Sequence, residues 1–101
     1  MNTKIMRFAV AILALAACAT APPVQEMSDA RQAIRAAEAV GAAQRSPDAL
    51  LAAQRSLREA QMQLEAGAYD TARRHALDAW EAAIQARDIA TKKPLPPSFP
   101  P

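Results

Sequence analysis

Apolar residues recur every three or four positions in three segments between residues 27 and 91. This spacing places them on one face of an α-helix. The three stripes consist, in turn, of Met27, Ala30, Ile34, Ala37, Gly41; Leu50, Ala53, Leu57, Ala60, Leu64; and Tyr69, Ala72, Ala76, Ala79, Ala83, Ala86, Ala90. The pattern predicts an all-α domain with helices at about 28–44, 47–66 and 69–91.

Residues that start and stop helices flank the three segments. Ser28 is predicted to cap the first helix, although proline is tolerated in a first turn and a start as early as Pro23 remains open. Ser46 and Pro47 form a second start, with serine as the cap and proline at the first helical position. Gly67 is expected to end the second helix in the left-handed conformation.

The third helix has the widest apolar face, because Leu77, Trp80 and Ile84 form a second stripe beside its alanines. We therefore expect it to contact both other helices, with Trp80 in the core by default. This predicts a three-helix antiparallel bundle, or a helical hairpin against which the first helix packs. On its outer face, Arg74 lies four residues from both Asp70 and Asp78, so weak ion pairs are expected there.

The segment from Leu64 to Ala72 resembles the turn of a tetratricopeptide repeat, in which Leu-x-x-Gly-x-Tyr-x-x-Ala joins two antiparallel helices. The resemblance covers one turn, whereas solenoids need about three repeats for stability. It implies a TPR-like turn between the second and third helices rather than a repeat array.

Residues 1–17 have the pattern of a secretory signal peptide. Lys4 and Arg7 precede an uncharged apolar run of ten residues, Phe8 to Ala17. A membrane-spanning helix needs about 20 such residues, so this run fits a signal peptide better. A buried N-terminal helix is the alternative, but no polar residue alternates with the run.

The only cysteine, Cys18, directly follows this segment. Leu15-Ala16-Ala17-Cys18 resembles the lipobox of bacterial lipoproteins. That resemblance implies a diacylglycerol on the Cys18 thiol, cleavage between Ala17 and Cys18, and acylation of the new amino group. A thiolate is suited to such alkylation, and several acyl chains together give a lasting membrane anchor. In the sorting of enteric lipoproteins, an aspartate after the cysteine would favour the inner membrane, so Ala19 favours the outer membrane. The expected location is the periplasmic face of that membrane.

The predicted organisation is completed by two proline-containing ends. Residues 18–27 carry the lipidated cysteine and an extended spacer, and residues 92–101 form a tail with five prolines, for which polyproline II or disorder is expected. The Pro-x-x-Pro spacing in the tail also suits aromatic grooves, although a solvated end is the simpler interpretation.

Charge does not favour a nucleic-acid partner. Removal of Lys4 and Arg7 with the signal peptide leaves ten basic residues against ten acidic ones. The remaining chain therefore has no net charge and no basic surface from which to argue for nucleic acid.

No constellation of residues suggests catalysis, and we expect neither an enzyme nor a bound cofactor or metal. His75, the only histidine, has arginines as neighbours and no partner at metal-ligand spacing. Gly41 and Gly67 are the only glycines, too few for a phosphate-binding loop. The aspartates are spread along helix starts and outer faces: Asp29, Asp48, Asp70, Asp78 and Asp88.

After the lipobox and proline spacer, the chain resembles a family of small alanine-rich helical domains of Gram-negative envelopes whose function is unknown. The matching features are Ser-Asp-Ala-Arg at 28–31, Ser46-Pro47, and Gly-x-Tyr-Asp at 67–70, and the resemblance covers about residues 28–90. Members occur alone as lipoproteins or ahead of peptidoglycan-binding OmpA-like domains.

Three functional hypotheses follow. The first is a non-enzymatic interaction or structural module that binds an envelope protein or itself, since a thin alanine-lined core would gain from a partner helix; an accessory subunit of an outer-membrane complex is one form of this. The second is a noncovalent peptidoglycan tether. The third is a small-ligand binder or enzyme using His75 and Trp80.

Overall fold

Four helices make up almost all of the described chain, residues 21–92 of this computed structural model. They are α1 (Val24–Ala39), α2 (Ala42–Arg45), α3 (Pro47–Glu65) and α4 (Tyr69–Lys92). No strand occurs in that range, so the all-α prediction is confirmed. The predictions for residues 1–17, for Cys18 and for the tail from residue 93 onward lie outside the described residues.

The first helix begins four residues earlier than the preferred prediction. Pro23 precedes it, and the Met27 amide donates to the Pro23 carbonyl at 3.1 Å. Met27 is only 2% exposed, and the extra turn brings this side chain into the core. Ser28 therefore lies inside α1, and its predicted role as a cap is wrong. The spacer predicted at 18–27 is correspondingly shorter, since residues 24–27 are helical.

Gly41 divides the segment that the apolar stripe predicts as a single helix to residue 44. Its φ is 84°, which is unfavourable for a residue with a Cβ and ends α1 at Ala39. Ala42 to Arg45 then form the separate short helix α2. The stripe prediction treated Gly41 as a small core residue, whereas its actual role is to reverse the chain.

Ser46 connects the loop before α3 to the far end of α4. Its hydroxyl makes no cap hydrogen bond and instead donates to the Ala86 carbonyl at 2.6 Å, and Ser46 is 5% exposed. Arg45 adds a second link, from Nη1 to the Ala90 carbonyl at 3.4 Å. The predicted side-chain cap is therefore wrong, but Ser46 still marks the start of α3, where the Leu50 amide donates to its carbonyl at 3.1 Å.

Helix α4 packs against both other long helices through a column of alanines. Each member of the column is 0% exposed: Ala72, Ala76, Ala79, Ala83, Ala86 and Ala90. Met27 of α1 and Ala60 of α3 cluster with Ala76 near one end. Toward the other end, the core cluster includes Ala37 of α1 and Leu50 of α3 together with Ala90. Helix α1 thus runs in the same direction as α4, and α3 runs in the opposite direction.

The size of the alanine side chain is expected to limit how closely these helices approach. Ala83→Leu inserts three carbon atoms into a fully buried contact and should lower the free energy of unfolding by about 1–3 kcal/mol, or more where the backbone cannot shift. Urea denaturation followed by circular dichroism measures the change.

Ala52→Leu is the matched control, because Ala52 is an exposed residue within α3. The same substitution there should change stability by no more than about 0.5 kcal/mol. Equal effects at the two positions would contradict close alanine packing.

Candidate interaction surface

The residues that carry chemistry in the sequence do not converge in the structure. Cys18 and Ala17, the predicted lipidation and cleavage residues, lie outside the described residues. His75 is half-buried on α4. Within residues 21–92, no three histidine, cysteine, aspartate or glutamate side chains are grouped so that they could hold a metal ion. None of the helices described is long and apolar enough to cross a membrane.

Trp80 lies on the surface rather than in the core. It is 43% exposed, and Leu77 beside it is 48% exposed. The expectation of a core tryptophan is therefore wrong. The alanine column occupies the line of α4 that meets the other helices, and an indole is too large for a contact made of methyl groups. The neighbouring stripe, on which Leu77 and Trp80 lie, is left at the edge of the core.

Leu77 and Trp80 form one wall of a groove between α4 and the first turns of α1. Glu26 and Asp29 line the other wall, and the open groove has a volume of about 210 Å³. One wall is thus apolar and aromatic, and the other carries two carboxylates. The face of an indole attracts cations, and the carboxylates add to that attraction. The groove therefore suits a ligand segment that combines apolar or aromatic groups with positive charge.

Arg73 holds the start of α1 against α4. Its Nη2 donates to the Ala21 carbonyl at 2.8 Å and its Nη1 to Asp70 Oδ1 at 3.2 Å. Its Nε lies 3.6 Å from Glu26 Oε2, an ion pair too long for a hydrogen bond. The residues just before α1 are therefore fixed to a helix some fifty positions away.

Sequence reasoning missed this arginine. It predicted ion pairs of Arg74 with Asp70 and Asp78. Among the hydrogen bonds and ion pairs of residues 21–92, the Arg74 side chain has a single partner, Thr71, whose Oγ1 lies 3.5 Å from Arg74 Nη2. The spacing of three between Asp70 and Arg73 was the one available signal. The bond to Ala21 has no sequence signature, because a backbone carbonyl is the same at every residue.

Glu26 borders both the arginine cluster and the groove. Its Oε2 is buried and accepts no hydrogen bond from the described part of the chain, although the side chain as a whole is 28% exposed. A carboxylate oxygen in this state retains the capacity to accept a hydrogen bond. Together with Asp29, it makes this end of the groove acidic.

A second, shallower depression lies further along α4. It is lined by Glu81, Ile84, Gln85 and Asp88 and has a volume of about 330 Å³. These positions follow Leu77 and Trp80 at helical spacing and extend toward Lys92. Two depressions thus follow one another along the surface of α4. We call the α4 residues that line them the α4 track: Leu77, Trp80, Glu81, Ile84, Gln85 and Asp88.

Comparison of the chain with models of protein families, with curated proteins and with solved structures found no match.

Loss of the Arg73 side chain should release the first turn of α1. Arg73→Ala is expected to lower the free energy of unfolding by about 1–2 kcal/mol, between the values for buried charged hydrogen bonds and for exposed ion pairs. It should also accelerate hydrogen exchange at the Met27 amide, which bonds to Pro23 within that turn. Arg74→Ala, the neighbouring and exposed arginine, is the control and should change neither quantity. Similar results for the two variants would show that Arg73 does not hold this segment.

Proposed function

We propose that this protein is a lipid-anchored, non-enzymatic helical interaction module of the Gram-negative cell envelope, attached to the outer membrane through Cys18. The observation that carries the proposal is the sequence Leu15-Ala16-Ala17-Cys18 after a signal-like segment. Several acyl chains on one residue are enough for lasting attachment, so no spanning helix is required.

We further propose that α1, α3 and α4 constitute a three-helix bundle, with α2 as part of the first connection. The TPR-like turn between α3 and α4 is supported by local geometry. Gly67 has a φ of 79°, and the Ala68 and Gly67 amides donate to the Gln63 and Leu64 carbonyls at 2.9 and 3.0 Å. These two bonds are those of a Schellman motif, which reverses the chain directly after a helix.

The burial of the alanines narrows the search for a binding surface. The thin, alanine-lined core was the reason to consider association with a partner helix or a second copy. The alanine column of α4 is, however, already buried against the other helices of the same chain. The groove at Leu77 and Trp80 is the better candidate, because it combines exposed apolar side chains with acidic neighbours. Interfaces are enriched in aromatic residues of this kind.

The anchor is tested with Cys18→Ser, which removes the acceptor sulfur. The unchanged chain should take up radiolabelled palmitate in cells and sediment with the outer membrane. The variant should incorporate no label and should accumulate as the unprocessed precursor. Equal labelling of the two chains, or a chain from cells that starts at a residue other than Cys18, would refute the anchor.

The binding surface is tested with a photo-crosslinking amino acid at Leu77, with the same residue at Met62 as control. Both positions are exposed apolar residues, but Met62 lies on α3, away from the groove. One dominant envelope protein captured from Leu77 and not from Met62 would support the module. The same capture from both positions would refute the groove as its surface. Cosedimentation with purified sacculi, without any captured protein, would instead favour a noncovalent peptidoglycan tether.

A further inference from the structure

We propose that the groove at Leu77 and Trp80 binds the outer face of α3 from a second copy of this chain, so that anchored copies associate side by side. This contact rests on the proposed function and deepens it, because it names the partner of the interaction surface. The outer face of α3, which we call the arginine face, consists of Leu51, Arg55 and Arg58.

The arginine face is exposed and makes no polar contact within the fold. Leu51 is 46% exposed, and both arginines are exposed as well. The three positions are four and three residues apart, so they share one side of the helix. Arg55 is turned by about 140–160° from each of the buried residues of α3. Within residues 21–92, neither Arg55 nor Arg58 has a side-chain hydrogen bond or an ion pair.

The groove and the depression beside it carry the opposite charge. Glu26 and Asp29 line the groove, and Glu81 and Asp88 line the depression that follows it along α4. Within the described chain, neither is lined by a lysine or an arginine. Each copy therefore has one surface with apolar and cationic side chains and another with apolar and anionic ones. Complementary charge of this kind selects the partner and fixes its register.

One copy cannot bring its own two surfaces together. The groove opens between α4 and the first turns of α1, whereas the arginine face lies on the side of α3 that points away from the core. Contact between the two surfaces therefore joins different copies. It is heterologous, because each copy presents its groove to one neighbour and its arginine face to another, and such contacts continue from copy to copy as a row.

The two surfaces lie at the same height along the bundle. Ala60 of α3 clusters with Ala76 of α4, and these helices are antiparallel. Arg55 precedes Ala60 by five residues, so it is level with Glu81, which follows Ala76 by five. A second copy that is displaced sideways, without rotation or a shift along the helix axis, therefore places its Arg55 beside Glu81 of the first.

The same displacement places Arg58 at the groove. Arg58 precedes Ala60 by two residues, so its level is that of the stretch between Leu77 and Trp80. Its guanidinium can contact the face of the indole there, while the two carboxylates of the opposite wall supply negative charge. Its alkyl chain can cover Leu77. One arginine thus matches both the apolar and the acidic wall.

A common membrane anchor favours this arrangement. Sideways displacement leaves all copies in the same orientation, so that the lipid on each Cys18 reaches the same membrane. Exposed ion pairs and cation–π contacts are individually weak. Confinement of the copies to one surface raises the effective concentration at which these contacts form.

Two differently tagged chains expressed in one cell test the contact. The tag-A chain carries the photo-crosslinking amino acid at Leu77, and the tag-B chain carries none. Irradiation should join the two tags, and mass spectrometry should place the joined peptide on α3 of the tag-B chain, around Arg55 and Arg58. Met62 remains the control position for the crosslinker, because it is level with Arg74, one turn outside the α4 track.

Charge reversal tests the direction of the contact. Arg55→Glu together with Arg58→Glu in the tag-B chain should lower the yield of joined tags roughly 5-fold or more. The same two substitutions in the tag-A chain should not lower it, because that copy contributes its groove. Arg74→Glu in the tag-B chain, which reverses an exposed arginine outside both surfaces, is the control and should have no effect. Glu81→Arg in the tag-A chain should restore part of the yield that Arg55→Glu alone removes.

The outcomes separate this contact from the proposed function. Capture from Leu77 of a protein other than this chain would overturn the association of copies and leave the interaction module intact. No captured protein at all would count against both. Joined tags that respond equally to charge reversal in either chain would assign the association to a symmetric dimer and overturn the heterologous contact. Immunoblots of each tag and circular dichroism of each purified variant confirm that the chains accumulate and remain helical.

Discussion

The fold depends on the close contact of α4 with α1 and α3 through alanine side chains. Six alanines of α4 are completely buried, whereas the large apolar residues of the same helix remain at the edge of the core. Methyl groups allow helix axes to come near the short end of the usual 8–10 Å range. Each contact buries little apolar area, so hydrophobic stabilisation per residue is small. Specific polar links between distant segments consequently carry more of the stability than in a leucine-rich bundle, and Ser46 and Arg73 provide them at opposite ends.

The parts of the fold that depend on local chemistry could be predicted from the sequence. Pro47 begins α3, and Gly67 ends it through a left-handed turn, because proline and glycine act through their own backbone angles. The periodicity of the third stripe likewise reports the buried face of α4. The role of Gly41 was not predicted, and α1 starts at the alternative position next to Pro23 rather than at the preferred one, Ser28. Gly41 was misjudged because a glycine has the same spacing in the stripe whether it packs in the core or ends the helix. The start of α1 lies before Ser28 because the burial of Met27 stabilises the extra turn more than a cap at Ser28 would.

The candidate surface was harder to predict, because exposure is a property of the packed helices and not of one helix. Trp80 shares a stripe with apolar residues, and periodicity alone cannot say which of two adjacent stripes faces the core. Once the alanine column meets both neighbours, the second stripe of α4 must lie at an edge. The acidic wall of the groove comes from α1, some fifty residues away in sequence, so only the parallel arrangement of α1 and α4 shows that the two walls meet.

The parallel arrangement also relates the proposed anchor to the groove. Arg73 binds the Ala21 carbonyl, and Cys18 is three residues earlier, or about 10 Å of extended chain. A lipid on Cys18 would hold the end of the fold that contains Glu26 close to the membrane, with the loop around Ser46 farthest away. Lys92, which ends α4, is also at the far end. The groove lined by Glu26, Leu77 and Trp80 would then lie in the half of the fold nearer the membrane. An exposed indole there is attracted to the interface between water and acyl chains.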